Sequence, residues 1–317
     1  MRHQPRSPKP APHLPQAPMR LVPSLLPSLS LCLALLMYGE SARAQTPDTV
    51  YFPSADGHTE LVAYRASPAR LPAPAIVLLH GRAGPYTGPV AAQCKTVARG
   101  QDSPCGAGSL SARHRQWLAH WAAQGYTALL VDSFGPRGRA HGYGRNTHGI
   151  PEREAVNERT VRPLDAEGAL RWLAAQPEVQ AGRILVQGWS NGGSTVLNVL
   201  QRQSERAASA EAGAPRFAAA LAFYPGCGER ALLNLWPQWD VPVLMLLAGA
   251  DEEVSPRQCE ALVARAQARV PPQLRTYAGA AHGFDSPVAS LQREPDNAAA
   301  REDALRRATA FVRAQLP

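Results

Sequence analysis

The 317-residue chain carries 33 basic and 25 acidic side chains, a net charge of +8, and 45% hydrophobic residues. That is enough for one large domain with a substantial core, or two small ones. Residues 1–44 hold five of the basic residues and one acid, so the remainder carries +4 with scattered arginines; without a basic run interleaved with aromatics, a nucleic-acid partner is excluded.

The stretch "MRLVPSLLPSLSLCLALLMYGESARAQ", residues 19–45, has a basic start at Arg20, an apolar middle and the small-x-small triplet Ala42-Arg43-Ala44. This is the pattern of a signal peptide cleaved after Ala44, with translation starting at Met19. Its longest clean apolar run, Leu31–Gly39, is too short to cross a bilayer, and Pro23 and Pro27 weaken a helix. Cys32 follows Leu31 rather than a small residue, against a lipoprotein site. The reading is an exported protein, periplasmic or secreted, with no stable membrane insertion after cleavage; the alternative is a membrane anchor. Residues 1–44 are then an extension and leader, and 45–317 a single domain.

Four cysteines remain beyond the leader: Cys94, Cys105, Cys227 and Cys259. In an oxidising compartment an even number predicts two disulfides, with three connectivities open. Cys94–Cys105 and Cys227–Cys259 are the expected pairs, against four unpaired small apolar residues.

From residue 50 the pattern alternates strand and helix. Residues 49–65 read as an opening hairpin around Ala55-Asp56-Gly57, and "AIVLLH" (75–80) as a buried strand. Leu110, Trp117, Leu118 and Trp121 recur at helical spacing over 109–124, ended by Gly125. "TALLVD" (127–132) is a strand, 163–176 a helix with Pro163 in its first turn, and "RILVQG" (183–188) a third buried strand. A helix follows over 191–202, then strands at 217–225 and 241–249. Ser255-Pro256-Arg257-Gln258 predicts a capping box with proline at the first helical position. A strand at 273–279 and a helix at 296–315 close the chain. This alternation predicts one α/β domain, a mostly parallel central sheet with helices on both faces. The long connections 81–108 and 133–160 both follow strand ends, at the edge where such sheets build sites.

The segment Gly188-Trp189-Ser190-Asn191-Gly192 matches G-x-S-x-G between a strand and a helix. Such an elbow forces its serine into a strained backbone conformation, and glycines two places either side avoid collisions there. A serine hydroxyl needs a base and an orienting acid. Asp251, directly after "VPVLMLLAGA", and His282, after "QLRTYAGA", supply them in the order Ser…Asp…His. Glu252, Glu253, Asp285 and Asp132 are weaker rivals for the acid. Asn191 N–H is the expected first oxyanion donor; the second comes from "HGRAG" (80–84), at Arg82 or alternatively Ala83. His80 is read as support for that loop, and His141 and His148 as capping or surface histidines. Together these residues predict serine-hydrolase chemistry.

"VLLHGRAG", "LLVDSFGPRG", "RILVQGWSNGG", "GADEEVSP" and "AHGF" together resemble the dienelactone hydrolase family. The resemblance covers about residues 50–315. It implies the α/β-hydrolase fold with an eight-stranded sheet, no metal or organic cofactor, and a triad at Ser190, Asp251 and His282. The family's founding enzymes carry a cysteine nucleophile where this chain has Ser190, so the expectation shifts towards cleavage of small or polymer-derived carboxylic esters outside the cell. Arg137, Arg139 and Arg145 lie in the second long connection. Arg137 is expected either to pair with a substrate carboxylate or to brace its loop. Trp189 and Tyr224 are candidate substrate-lining residues, and Tyr224, Trp236 and Trp239 could form an apolar acyl pocket or belong to the core. Competing readings are a serine peptidase of prolyl-oligopeptidase type, a polyester hydrolase, and a hydrolase-shaped binding protein without catalysis.

Overall fold

A computed structural model describes residues 1, 46–207 and 213–316; the signal peptide and cleavage site expected at 19–45 lie outside the described residues. An antiparallel pair, β1 (Asp48–Pro53) and β2 (Glu60–Ala66), opens an eight-stranded sheet. It continues with β3 (Ala73–Leu79), β4 (Thr127–Asp132), β5 (Val179–Trp189), β6 (Ala220–Phe223), β7 (Val243–Ala248) and β8 (Gln273–Tyr277). The spatial order is β1-β2-β4-β3-β5-β6-β7-β8, with β2–β4 antiparallel and every later pairing parallel. Five long helices cover it: α1 (Ala112–Ala123), α2 (Arg162–Ala174), α3 (Asn191–Ala207), α4 (Pro256–Arg265) and α5 (Pro295–Gln315).

The continuous apolar runs arise because the central strands are buried on both faces. Along β3, Ile76 and Leu78 face a core shared with Trp117, Leu118 and Trp121 of α1 and Ala304, Ala308 and Phe311 of α5. Ala75, Val77 and Leu79 face a second core, with Ala166, Leu170 and Leu173 of α2 and Val196 and Leu200 of α3. The chain therefore leaves β3 towards one face and β5 towards the other. Their loops diverge at the carboxyl edge, and that is where a crevice opens.

Several boundaries differ from expectation. The strand read over 217–225 is in regular register at Ala220–Phe223, with single backbone bonds from Ala218 to Ile184 and from Tyr224 to Leu246 extending it on either side. The capping box does not form: Ser255 has extended backbone but its side chain accepts no capping bond, while Pro256 sits in the first turn of α4 as expected. A two-stranded ladder, Gln238–Trp239 with Gln267–Ala268, lies apart from the main sheet. Cys94 is bonded to Cys105 and Cys227 to Cys259, the two expected pairs. Among the described residues, no helix is long and apolar enough to cross a membrane.

Candidate active site

The turn from β5 into α3 puts Ser190 at φ +53°, a left-handed conformation that a residue with a side chain rarely adopts. The strain persists because the neighbours allow no other path. A Cβ on Gly188 would strike the Gly192 carbonyl, and one on Gly192 would strike the Leu79 carbonyl oxygen. The tight packing brings the end of β3 against the elbow and leaves the Ser190 hydroxyl at the sheet edge.

Asp251 and His282 arrive from the ends of β7 and β8. His282 Nε2 lies 2.9 Å from Ser190 Oγ, and His282 Nδ1 lies 2.8 Å from Asp251 Oδ2. The other Asp251 oxygen accepts the Glu253 and Val254 N–H groups at 2.8 and 2.9 Å, so a buried carboxylate is fully engaged on the strand end. With Asp251 accepting, the imidazole proton belongs on Nδ1 and Nε2 faces the serine. The rival acids do not reach Nδ1: Glu252 accepts the His282 backbone N–H at 3.2 Å, and Glu253 Oε2 lies 3.8 Å from Nε2. Glu253 takes two bonds from Arg82, at 3.0 and 2.8 Å, and one from Arg145. Burial alone would raise the Glu253 carboxyl, but the Arg82 hydrogen bond and the positive charges around it, Arg82 and Arg145 among them, hold it below the usual range.

The loop after β3 is held by His80. Its Nδ1 lies 2.7 Å from the Gly81 carbonyl oxygen, which also accepts the Gly84 N–H at 3.1 Å. In a trans peptide the Arg82 N–H points away from that carbonyl. Neither Arg82 N–H nor Asn191 N–H donates to a backbone carbonyl among the described residues, and both residues line the same cavity as Ser190. Burial, with Arg162 close by, pushes the His80 pKa well below the ordinary imidazole value, so the ring is neutral. Its Nδ1–H donates, and its Nε2 accepts the Ser133 N–H at 3.3 Å.

Two groups that the sequence reading did not assign to the site stand behind it. Arg162, fully buried, donates to the His80 carbonyl at 2.8 Å and to the Asn191 side-chain oxygen, linking the two loops that carry the expected oxyanion donors. Burial lowers its pKa to about 10, so it stays charged at neutral pH. Asp285, weighed in the sequence only as a rival acid, is buried among donors. It accepts Trp117 Nε1 at 2.9 Å, Trp189 Nε1 at 2.8 Å and the Tyr224 hydroxyl, and pairs with Arg113 Nε at 3.1 Å. Its position three residues after the histidine was the available signal, but its partners are scattered along the chain.

Of the three candidate substrate-lining residues, these contacts place Arg137 and Tyr224 on the second of their two readings, bracing and core, and move Trp189 off the cavity. Arg137 does not line the cavity: it forks onto Asp165 at 2.8 Å, reaches Asp56 at 2.9 Å and donates to the Ser133 carbonyl, bracing its own loop. Trp189 is fully buried, its indole directed to Asp285. Tyr224 is buried as well, at φ +34°, with its ring edge-to-face on His282 at 4.7 Å, so it supports the imidazole. Trp239 is core, whereas Trp236 is 60% exposed under the Arg265 guanidinium. Arg145 does line the cavity, paired with Glu252 and Glu253. The cavity, about 820 Å³, is walled mainly by charged and polar side chains, with Leu235 and Val254 among the few apolar ones.

The dienelactone hydrolase family model matches residues 107–316, about two thirds of the chain. The chain belongs to that family. Solved structures share its fold. A dienelactone hydrolase-like promiscuous phosphotriesterase, P91, from metagenomic libraries is 17% identical, with a TM-score of 0.57 over 86% of this chain and 100% of its own. Esterase 2 of Thermogutta terrifontis is 20% identical, with a TM-score of 0.57 over 85% of this chain and 94% of its own. The same esterase phosphonylated by cyclosarin is 19% identical, with a TM-score of 0.53 over 83% and 95%. Family membership supports hydrolase activity for this chain.

Proposed function

We propose that the protein is an exported serine esterase that cleaves carboxylic esters through an acyl-enzyme, with residues 45–317 as its single catalytic domain and 1–44 as extension and leader. The observation that carries this reading is the continuous chain Ser190 Oγ–His282–Asp251, at 2.9 and 2.8 Å, on a strained elbow. In it, Ser190 Oγ attacks the ester carbonyl while its proton passes to His282 Nε2. The carbonyl oxygen, now an anion, takes hydrogen bonds from Asn191 N–H and Arg82 N–H. The tetrahedral species collapses, the alcohol leaves with the proton from Nε2, and the acyl group stays on Ser190. Water then repeats the sequence and releases the acid. Asp251 accepts Nδ1–H throughout and stabilises the imidazolium. Two disulfides support export, because such bonds persist in oxidising compartments.

The test is hydrolysis of p-nitrophenyl esters, acetate through dodecanoate, by mature protein and by Ser190→Ala, with fluorophosphonate labelling in parallel. Loss of a triad nucleophile lowers turnover on the order of a million-fold. Equal activity in both proteins would remove Ser190 from the mechanism. Folded protein with neither turnover nor labelling would support a non-catalytic binding role.

A further inference from the structure

The cavity that holds Ser190 extends to a second polar wall, formed by the connection before α2 and the segment after β6. Glu158 is the group there that the esterase mechanism leaves without work. Its side chain is only 4% exposed, yet it lines the cavity. Its carboxylate accepts no hydrogen bond among the described residues. Arg153 Nη2 and His148 Nε2 approach the same oxygen, Oε1, at 3.6 and 3.7 Å, beyond hydrogen-bond range.

The wall is built rather than loose. Arg153 is buried and donates to Thr147 Oγ1 at 2.9 Å, and its other terminal nitrogen lies 2.8 Å from His148 Nε2. The Glu158 carbonyl takes Asn198 Nδ2 at 3.0 Å, and the same nitrogen bonds the Ser194 carbonyl. Ser190, Ser194 and Asn198 follow one another at four-residue intervals, with Ser194 and Asn198 on one face of α3. At 1.5 Å per residue, Asn198 is roughly 12 Å along the helix axis from the nucleophile. Arg230, exposed on the same cavity, makes no hydrogen bond or ion pair among the described residues.

The Glu158 carboxylate opens onto the cavity with its hydrogen-bonding capacity unused by the protein, so a donor on a bound molecule can meet it there. Three ligand chemistries can be compared on charge. An alkyl chain would complete the desolvation of Glu158 and pair with nothing. A carboxylate would meet it as a like charge, and an ammonium would meet the guanidinium groups of Arg153 and Arg230. A neutral hydroxyl-rich group suits all of them, donating to Glu158 and accepting from the guanidinium groups. We propose that this wall is a subsite for the polyhydroxylated part of a neutral ester, an acylated sugar or polyol, with Glu158 as hydroxyl acceptor. The proposal rests on the esterase reading of Ser190 and adds the substrate class to it.

The experiment compares kcat/KM for methyl 6-O-acetyl-glucopyranoside, glycerol monoacetate and butyl acetate, followed by acid release, in wild type, Glu158→Gln and Arg230→Gln. The expected wild-type preference is tenfold or more for at least one hydroxylated ester over butyl acetate. The larger of the two ratios tells a ring sugar from an open polyol. Glu158→Gln is expected to cut that ratio about tenfold, the scale of a hydrogen bond to a charged group. Arg230→Gln, on the surface, is expected to fold regardless and to cut the ratio less. A wild type that prefers butyl acetate, or a ratio unchanged in both variants, overturns the subsite and leaves the esterase reading intact. Turnover of none of the three by folded wild type, with no p-nitrophenyl ester cleaved either, overturns the esterase reading and the subsite with it.

Discussion

The indole N–H of Trp189 donates to Asp285 at 2.8 Å, and this ties the residue before Ser190 to the loop that carries His282. The Tyr224 hydroxyl reaches the other oxygen of the same carboxylate while its ring packs on His282. Asp285 thus fixes the spacing between Ser190 and His282 without touching either. Asp285→Asn leaves Arg113, which is 21% exposed, without its carboxylate and weakens each donor bond, and a hydrogen bond to a charged group is worth about 1.5–3 kcal/mol. In protein that remains folded, kcat for a short p-nitrophenyl ester is expected to fall about a hundredfold, the scale of a small misplacement of reacting groups. KM is expected to change little. Fluorophosphonate labelling should slow in step with kcat; unchanged labelling would show that Asp285 serves stability alone.

Arg137 separates bracing from substrate recognition. Its guanidinium faces Asp165, which is fully buried, and Asp56. Burial would raise the Asp56 carboxyl, but hydrogen bonds from Thr59, the His58 and Thr59 N–H groups and Arg137 hold it well below the usual range. Arg137→Met leaves Asp165, fully buried, with only the Ser54 hydroxyl, while Asp56 keeps its bonds from Thr59 and His58; the loss is expected to cost about 3 kcal/mol, read as a lower urea midpoint. KM for neutral short esters should be unaffected. A selective rise in KM for esters bearing a carboxylate would instead return Arg137 to the substrate.

The central strands were legible because burial on both faces writes them as unbroken apolar runs, and β3, β4 and β5 sit close to where those runs fall. The Gln238–Trp239 ladder was not, because two residues carry no periodicity. At the site, Ser190, Asp251 and His282 could be nominated from strand ends, which the sequence marks well. The partners of Trp189, Tyr224 and Arg137 could not, since each is decided by where one polar tip ends, although bracing by Arg137 was one of its two readings. Trp189 and Tyr224 bond Asp285, 96 and 61 positions away, and Arg137 bonds Asp165, 28 away. A sequence shows amphipathic side chains but not which distant carboxylate they meet. The capping box failed for a similar reason: Gln258 packs against Gly228, where a Cβ would come within 2.9 Å of its Oε1.

Buried neutral histidines predict an acid-sensitive fold. Burial lowers His114 to about 3 and His120 to about 4, and pushes His80 well below the ordinary value. In the unfolded chain each takes a proton near pH 6.5, whereas in the folded protein it does not until far lower pH. Between those values the unfolded state binds more protons, so stability is full above about pH 6.5 and is lost as pH falls below it. A fully buried group contributes a slope of about 1.4 kcal/mol per pH unit in that window. Urea midpoints measured from pH 7.5 to 4.5 should fall steadily, and His114→Gln should lessen the slope by about that amount. A flat profile down to pH 5 would mean that the unfolded state gains no protons over the folded one there.

The two disulfides should differ in what their loss does. Cys227–Cys259 closes a separation of 32 residues that contains β7 and Asp251, and Cys227 lines the cavity. Cys94–Cys105 closes only 11. Chain entropy gives roughly 3–4 kcal/mol for the longer loop and roughly 3 kcal/mol for the shorter. All four cysteines are buried, so reductant should act only as the protein opens, and native activity should survive brief exposure to it. Melting in reductant should come at lower temperature than without it. Replacing Cys227 and Cys259 together by alanine should cost more stability than replacing Cys94 and Cys105, and should also alter KM, because the segment carrying Cys227 is part of the cavity wall. An unfolding midpoint indifferent to reductant, under conditions where thiol titration shows the bonds broken, would mean that neither loop closure stabilises the fold.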